Sequence, residues 1–203
     1  MPVVIACLTR PAMYNGIRHF VFLVPPFAVL GGAAGAWVIA RSALASRAAA
    51  AIAAAIIAGG ILLPTVDMIR LHPYEYTHFN KIAGGVRAAD ERYMLDYWGL
   101  AFKQAADGLR EKLAERQEAP TASARWRIAV CGPQRPAQTE LGTEFVTTGD
   151  PAGADFAMML GEFYCLKLNA PILVEVERDG VVFARVYDIR GRSITSLLTL
   201  PAP

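Results

Sequence analysis

Charge is scarce in this chain. Of its 203 residues only 19% are Asp, Glu, Lys or Arg, and the net charge is +2. That balance is too small to attract a nucleic acid. The basic residues are scattered rather than gathered beside an apolar segment, so headgroup recognition by a polybasic patch is also unsupported. Cysteine is nearly missing: Cys7, Cys131 and Cys165 have no metal-ligand spacing and leave an odd thiol. Buried, unpaired thiols at Cys131 and Cys165 are the expectation, and pairing is the alternative if they face an oxidising compartment. His72 and His78 lack a third histidine or a carboxylate at a recognisable ligand spacing, so no metal is expected. The second half also lacks a glycine-rich phosphate loop or a nucleophile motif, and no cofactor is expected.

What the chain has instead is apolar length. Residues 20–40 and 48–66 are two uncharged runs, and as helices they reach about 31 and 28 Å, close to the ~30 Å hydrocarbon thickness of a bilayer. The first third is rich in Ala, Ile, Leu and Gly, whereas the rest has the composition of an ordinary soluble domain. About 130 residues follow the second run, enough for one small domain with its own core. Residues 1–8 are apolar but too short to span. Charge follows them at Arg10 rather than preceding them, which is the wrong order for a signal peptide.

Both runs have features that call for neighbours. Pro25 and Pro26 remove backbone donors near the start of the first. Gly31, Gly32, Gly35 and Ala36 lie on closely related faces and allow another helix to approach. The second run is largely alanine, which contributes little to insertion compared with Leu or Ile. The expectation is a hairpin of two transmembrane helices inside a larger bundle, completed by further helices or a partner subunit. Arg10 and Arg18 balance Arg41 and Arg47, so charge alone leaves the orientation open.

The polar junctions carry the chemistry. YNGIRHF opens the first span, with Arg18 and His19 at the water boundary. A guanidinium fork suits a phosphate and a histidine adds a donor, while the plainer reading is that Arg18 snorkels to the interface. Beyond the second span, LHPYEYTHFNKIAGG holds His72, Tyr74, Tyr76 and Asn80. Its aromatics suit either an interfacial belt or the lining of a polar pocket. In LDYWG, Asp96 is suited to cap a helix beginning near Tyr97. Phe102, Ala105, Ala106, Leu109 and Leu113 then recur at helical spacing. Trp98 reads as a core tryptophan, with stacking on a sugar ring as the alternative.

Taken in order, YNGIRHF, HPYEYTHFNKIAGG and LDYWGLAFKQAADGL resemble the C-terminal part of bacterial GT-C glycosyltransferases. The likeness is to glycosyltransferase family 39, of the protein mannosyltransferase and aminoarabinose-transferase kind, and it runs from about Met13 to Leu109. It implies transfer of a sugar from a polyprenyl-phosphate carrier, a multi-pass location in the inner membrane, and a C-terminal domain in the periplasm. Substrate contacts are implied at Arg18 and His19 for the lipid phosphate, and at His72, Tyr74, Tyr76 and Asn80. The family's catalytic acid lies in an outer loop after the first of its many helices, and this chain has no counterpart of that region. Glu75, Asp90, Glu91 and Asp96 are the acids nearest the membrane exit, but nothing in their spacing pairs them. No catalytic residue is therefore assigned, and no independent transferase activity is expected. An internal start or a split gene is the corresponding expectation for Met1. The rival reading is a non-catalytic membrane-anchored protein for binding or assembly.

The remaining sequence predicts a small α+β extracytoplasmic domain. Strands are expected at residues 126–131, 144–148 and 154–160, with a short helix around 136–141. The clearest local signal is a hairpin, with 171–178 and 181–189 flanking Asp179-Gly180, a pair suited to a type I′ turn. Val174 and Val176 alternate with Glu175 and Glu177, so one face is expected in a core and the other in water. The predicted layout is a leader and outer loop at 1–16, two transmembrane helices within 17–68, an interfacial segment at 69–97, and the periplasmic domain at 98–203.

Overall fold

The computed structural model describes residues 2–10, 16–90, 92–120 and 125–198. The chain divides into two compact units, Met1–Pro64 and Thr65–Pro203.

Helices dominate the first unit. Helix α1, Pro2–Thr9, is apolar and short. A 3-10 helix over Gly16–Leu23 runs into α2, Val24–Ala45, at the point where Pro25 and Pro26 occupy the first turn. Proline is well placed there, because first-turn N–H groups have no partner within the helix. Ser46 separates α2 from α3, Arg47–Leu71, and its Oγ accepts a hydrogen bond from the Ala49 N–H at 3.0 Å. Pro64 lies inside α3 and removes one donor from its ladder. The segments Phe20–Ala45 and Arg47–Leu71 are long and apolar enough to cross a membrane.

Almost nothing in these helices is covered. None of the described side chains of α2 is buried, and in α3 only Leu71 is. Gly35 meets the Ile57 side chain, whereas a side chain at Gly31 or Gly32 would point into open space.

The second unit is built on a five-stranded sheet among the described residues. Its strands are β1 (Trp126–Cys131), β2 (Phe145–Thr148), β3 (Phe156–Leu160), β4 (Ile172–Arg178) and β5 (Val181–Asp188), in spatial order β2-β1-β3-β5-β4. Both neighbours of β1 run parallel to it, and β5 runs antiparallel to β3 and β4. Helix α4 spans Gly85–Asp90, α5 spans Ala101–Glu115, α6 spans Gln134–Leu141 and α7 spans Ile194–Leu198.

Helix α5 lies on the sheet through Ala101, Phe102, Ala105, Ala106, Leu109 and Leu113, all buried. Fully burying a side chain the size of Phe102 stabilises by roughly 2–3 kcal/mol. Gly108 lets the helix come close: a Cβ there would stand 2.8 Å from a methyl of Val174. This core also takes in Leu71, Tyr74, Val86, Ala89 and Leu95 from the stretch before α5. A smaller cluster of Ala129, Ala154, Ala157, Tyr187, Ile189 and Leu197 fills the other side.

Two register shifts explain why β5 alternates poorly. Pairing slips between Ile172 and Val174 and again between Val176 and Glu177. An extra residue rotates the side chains that follow, so Phe183, Ala184 and Val186 all enter the main core. Covered on both sides, β5 is more buried than a one-faced hairpin would be. The turn is as expected, with Asp179 at φ 53° and Gly180 at φ 80°.

Candidate functional site

The segment after α3 forms short 3-10 turns at Glu75–Thr77 and Lys81–Ala83. His72 Nδ1 stands 2.6 Å from Glu75 Oε1, and both side chains remain accessible. Backbone hydrogen bonding first, and His72 second, hold the Glu75 carboxyl below its usual range. The last two turns of α3 are fastened to this segment by Asp67, whose carboxylate lies 3.1 Å from Lys81 Nζ.

Tyr74 and Tyr76 take opposite roles. Tyr74 is fully buried, stacked on Phe183 with ring centres 4.6 Å apart, and its hydroxyl donates to Gln104 Oε1 at 3.1 Å. Burial, reinforced by the Asp96 charge, pushes its hydroxyl up to about 12. Arg178 Nη2 donates to the same Gln104 oxygen at 3.0 Å, and Arg178 Nε to the His72 carbonyl at 3.1 Å. The Tyr76 ring is half exposed, and its hydroxyl donates to Asp96. Burial of the hydroxyl, then the Asp96 hydrogen bond, raise its pKa far above that of a free tyrosine.

Asp96 is the node of this junction. Its buried carboxylate accepts the Tyr76 hydroxyl and the N–H groups of Leu100 and Ala101, the latter two at 2.8 Å. The capping role read from LDYWG is therefore present, but the helix starts at Ala101 rather than near Tyr97. Gly99 at φ 72° interrupts any helix begun earlier. The Asp96 N–H in turn donates to Glu162 Oε1 at 2.7 Å. Burial raises the Glu162 pKa, and the Asp96 charge adds to the rise. Sequence spacing offered no signal for Glu162, which lies 66 positions away.

Two further corrections concern side chains. Cys131 and Cys165 form a disulfide, with Cα atoms 5.7 Å apart, that ties the end of β1 to the loop after β3. They are not the free thiols expected, because the parallel β1–β3 pairing brings the two strand ends together. Trp98 is 56% exposed rather than in the core, and packs edge-on against Tyr97 with ring centres 5.0 Å apart. The core position falls instead to Phe102, one helical turn on.

Beside Glu162 opens a cavity of about 400 Å³, lined among others by Asp90, Lys167, Arg185 and Tyr187. Arg185 is held by Glu175 at 2.5 Å. Among the described residues no group of three or more His, Cys, Asp or Glu side chains is placed to hold a metal.

Of the site residues read from sequence, His72, Tyr74 and Tyr76 lie on one segment and converge on Gln104, Arg178 and Asp96. Asn80 accepts the Ala83 N–H at 2.9 Å and caps its own short turn. Arg18 and His19 sit on the 3-10 helix of the first unit, and their side chains lie outside those described, as does Glu91. The carboxylates of Glu75, Asp96 and Glu162 are all engaged by neighbouring donors, an arrangement that holds loops in place. The chain matches no protein-family profile, no curated protein and no solved structure.

Proposed function

We propose that this chain serves as the C-terminal portion of an inner-membrane GT-C glycosyltransferase that uses a polyprenyl-phosphate sugar. In this reading α2 and α3 cross the bilayer and the sheet domain lies in the periplasm. The observation that carries it is the order of YNGIRHF, HPYEYTHFNKIAGG and LDYWG along two apolar helices and the start of the domain. Uncovered side chains such as Leu30, Trp37, Ile56 and Leu63 favour lipid or other helices as surroundings, since water tolerates such continuous apolar surface poorly. The Cys131–Cys165 disulfide favours an oxidising compartment for the domain. Arg18 and His19 meet the lipid phosphate, and the half-exposed Tyr76 lies toward the carrier or its sugar.

One observation favours the rival, a membrane-anchored binding or assembly protein without catalysis. The carboxylates described near the helix exit are engaged by neighbouring donors, which leaves no evident general base. Binding of a labelled polyprenyl-phosphate hexose to the chain in nanodiscs separates the two. The proposal expects saturable binding without turnover, weakened more by Arg18→Ala than by Arg18→Lys, because lysine keeps the charge but loses the fork. Absence of binding supports the rival, and turnover by this chain alone overturns the assignment of a non-catalytic portion.

A further inference from the structure

The register shifts between β4 and β5 decide which side chains of β5 face away from α5. Phe183, Ala184 and Val186 enter the main core, so Val182, Arg185 and Tyr187 share the opposite face of the sheet. The loop after β3 stands against that face: the Gly161 N–H donates to the Phe183 carbonyl at 2.8 Å, and Leu168 packs with the smaller cluster. Sheet face and loop together line the cavity of about 400 Å³ beside Glu162. That volume is in the range of small-molecule sites.

The loop wall is fixed at two points. Glu162 accepts the Asp96 N–H at 2.7 Å, and three residues on, Cys165 is joined to Cys131 at the end of β1. Between these points the Cys165 N–H donates to the Glu162 carbonyl at 2.9 Å. Lys167, two residues past the disulfide, therefore starts from a held backbone. A wall ordered in advance spares a ligand the cost of ordering it.

Donors in the lining outnumber their partners. Arg185 Nε is held by Glu175 at 2.5 Å, and among the described residues the two terminal guanidinium nitrogens have no hydrogen-bond partner. Lys167 has neither a hydrogen bond nor an ion pair among those residues. Tyr187 is only 3% exposed, yet its hydroxyl has no hydrogen-bond partner among them. Buried polar groups are rarely left so. The acids of the lining are already engaged, Glu162 by the Asp96 N–H and Asp90 by a neighbour. Burial also raises the Glu162 pKa, so this group opposes an anion less than a free carboxylate does.

We propose that this cavity binds a small organic anion, with Arg185 and Lys167 meeting its carboxylate or phosphate group, the Tyr187 hydroxyl donating to it, and Phe163 and Leu166 covering a compact apolar body. A guanidinium with both terminal nitrogens open suits either head group, and an ammonium adds charge without dictating geometry. Phe163 and Leu166 line the same cavity and remain exposed, so apolar contact is on offer beside the cations. The site lies wholly within the second unit and stands apart from the reading of α2 and α3 as membrane spans.

Fluorine NMR tests it on the full chain in nanodiscs, titrated with para-fluorobenzoate and with para-fluorophenyl phosphate, and with para-fluorobenzyl alcohol as the uncharged control. Saturable broadening of at least one anion is expected, with none for the alcohol. Lys167→Gln, a change at an exposed side chain, should weaken binding about threefold. Arg185→Gln should weaken it about tenfold, and Tyr187→Phe about threefold, in chains that keep the disulfide and native circular dichroism. Lys112→Gln, which removes a cation of α5 outside the cavity, should change nothing. Tighter binding of the phosphate assigns a phosphate ligand and tighter binding of the benzoate a carboxylate one, and either result supports the site. No saturable binding of either anion, equal binding of the alcohol, or binding unchanged by both Lys167→Gln and Arg185→Gln overturns the proposal and leaves the reading of the helices as it was.

Discussion

The two units of this chain solve the problem of apolar surface in opposite ways. In the sheet domain, α5 and β5 bury side chains in a common core, and Asp96 and Glu162 inside it find partners, whereas His78 Nε2 is buried without one. In α2 and α3 the apolar side chains form longer continuous runs, yet of these helices' described residues only Leu71 is buried. The difference teaches that the domain carries its own core, while the helices depend on surroundings. Within the second unit, Leu71 enters the core and Tyr76, five residues on, donates its hydroxyl to the Asp96 carboxylate.

The strongest way to break the domain side of this comparison is at Gly161. A Cβ there would fall 1.6 Å from the Val182 carbonyl oxygen, a backbone atom with no easy retreat. Gly161→Ala should cost about 3–5 kcal/mol and abolish cooperative melting of the domain, measured by circular dichroism in detergent. Next, replacing Cys131 and Cys165 by Ser should lower domain stability by about 2–4 kcal/mol in a denaturant titration, because a 34-residue separation is freed in the unfolded chain. Asp96→Ala removes the partner of two helix N–H groups and the Tyr76 hydroxyl, and should cost about 1–3 kcal/mol.

Acid dependence sharpens the comparison further. Asp188 is held below the usual carboxylate range by its hydrogen bond to Arg190. Its stabilising contribution is present above the ordinary unfolded pKa and is lost as the pH falls through the lower folded value. Glu162 has the opposite sign: burial raises its pKa, so folding is penalised as the pH rises from the ordinary carboxylate value through the raised one. Asp188→Asn should flatten the acid limb of a melting-temperature profile, and Glu162→Gln should hold or raise stability at neutral pH. The smallest effect belongs to the helices. Leu30→Ser should leave domain melting unchanged while lowering recovery of the chain in membranes.

Local rules made much of the domain legible. The Asp179-Gly180 turn, the apolar face of α5 and the strand at 126–131 each rest on a short-range pattern, and each is present. What escaped depends on distance in the chain. Glu162 and Asp96 meet because β3 ends beside the start of α5, and the disulfide forms because β1 and β3 run parallel. Neither is a spacing that a sequence displays. The bulges in β4 and β5 also escaped, since an inserted residue shifts the alternation by one without any change in composition. Trp98 was misplaced for a related reason: Gly99 delays the helix, and the turn before it leaves the indole outside. At the membrane side, length and composition mark two candidate spans, while Arg18 and His19 rest on motif resemblance.

The most direct test of the membrane account is protease accessibility of the sheet domain in spheroplasts and in inverted inner-membrane vesicles. The account predicts that external protease trims the domain in spheroplasts, leaving a membrane-embedded fragment, and that the domain is protected in inverted vesicles. Protection in spheroplasts with digestion in inverted vesicles, or a chain that washes free of the membrane at alkaline pH, would contradict it.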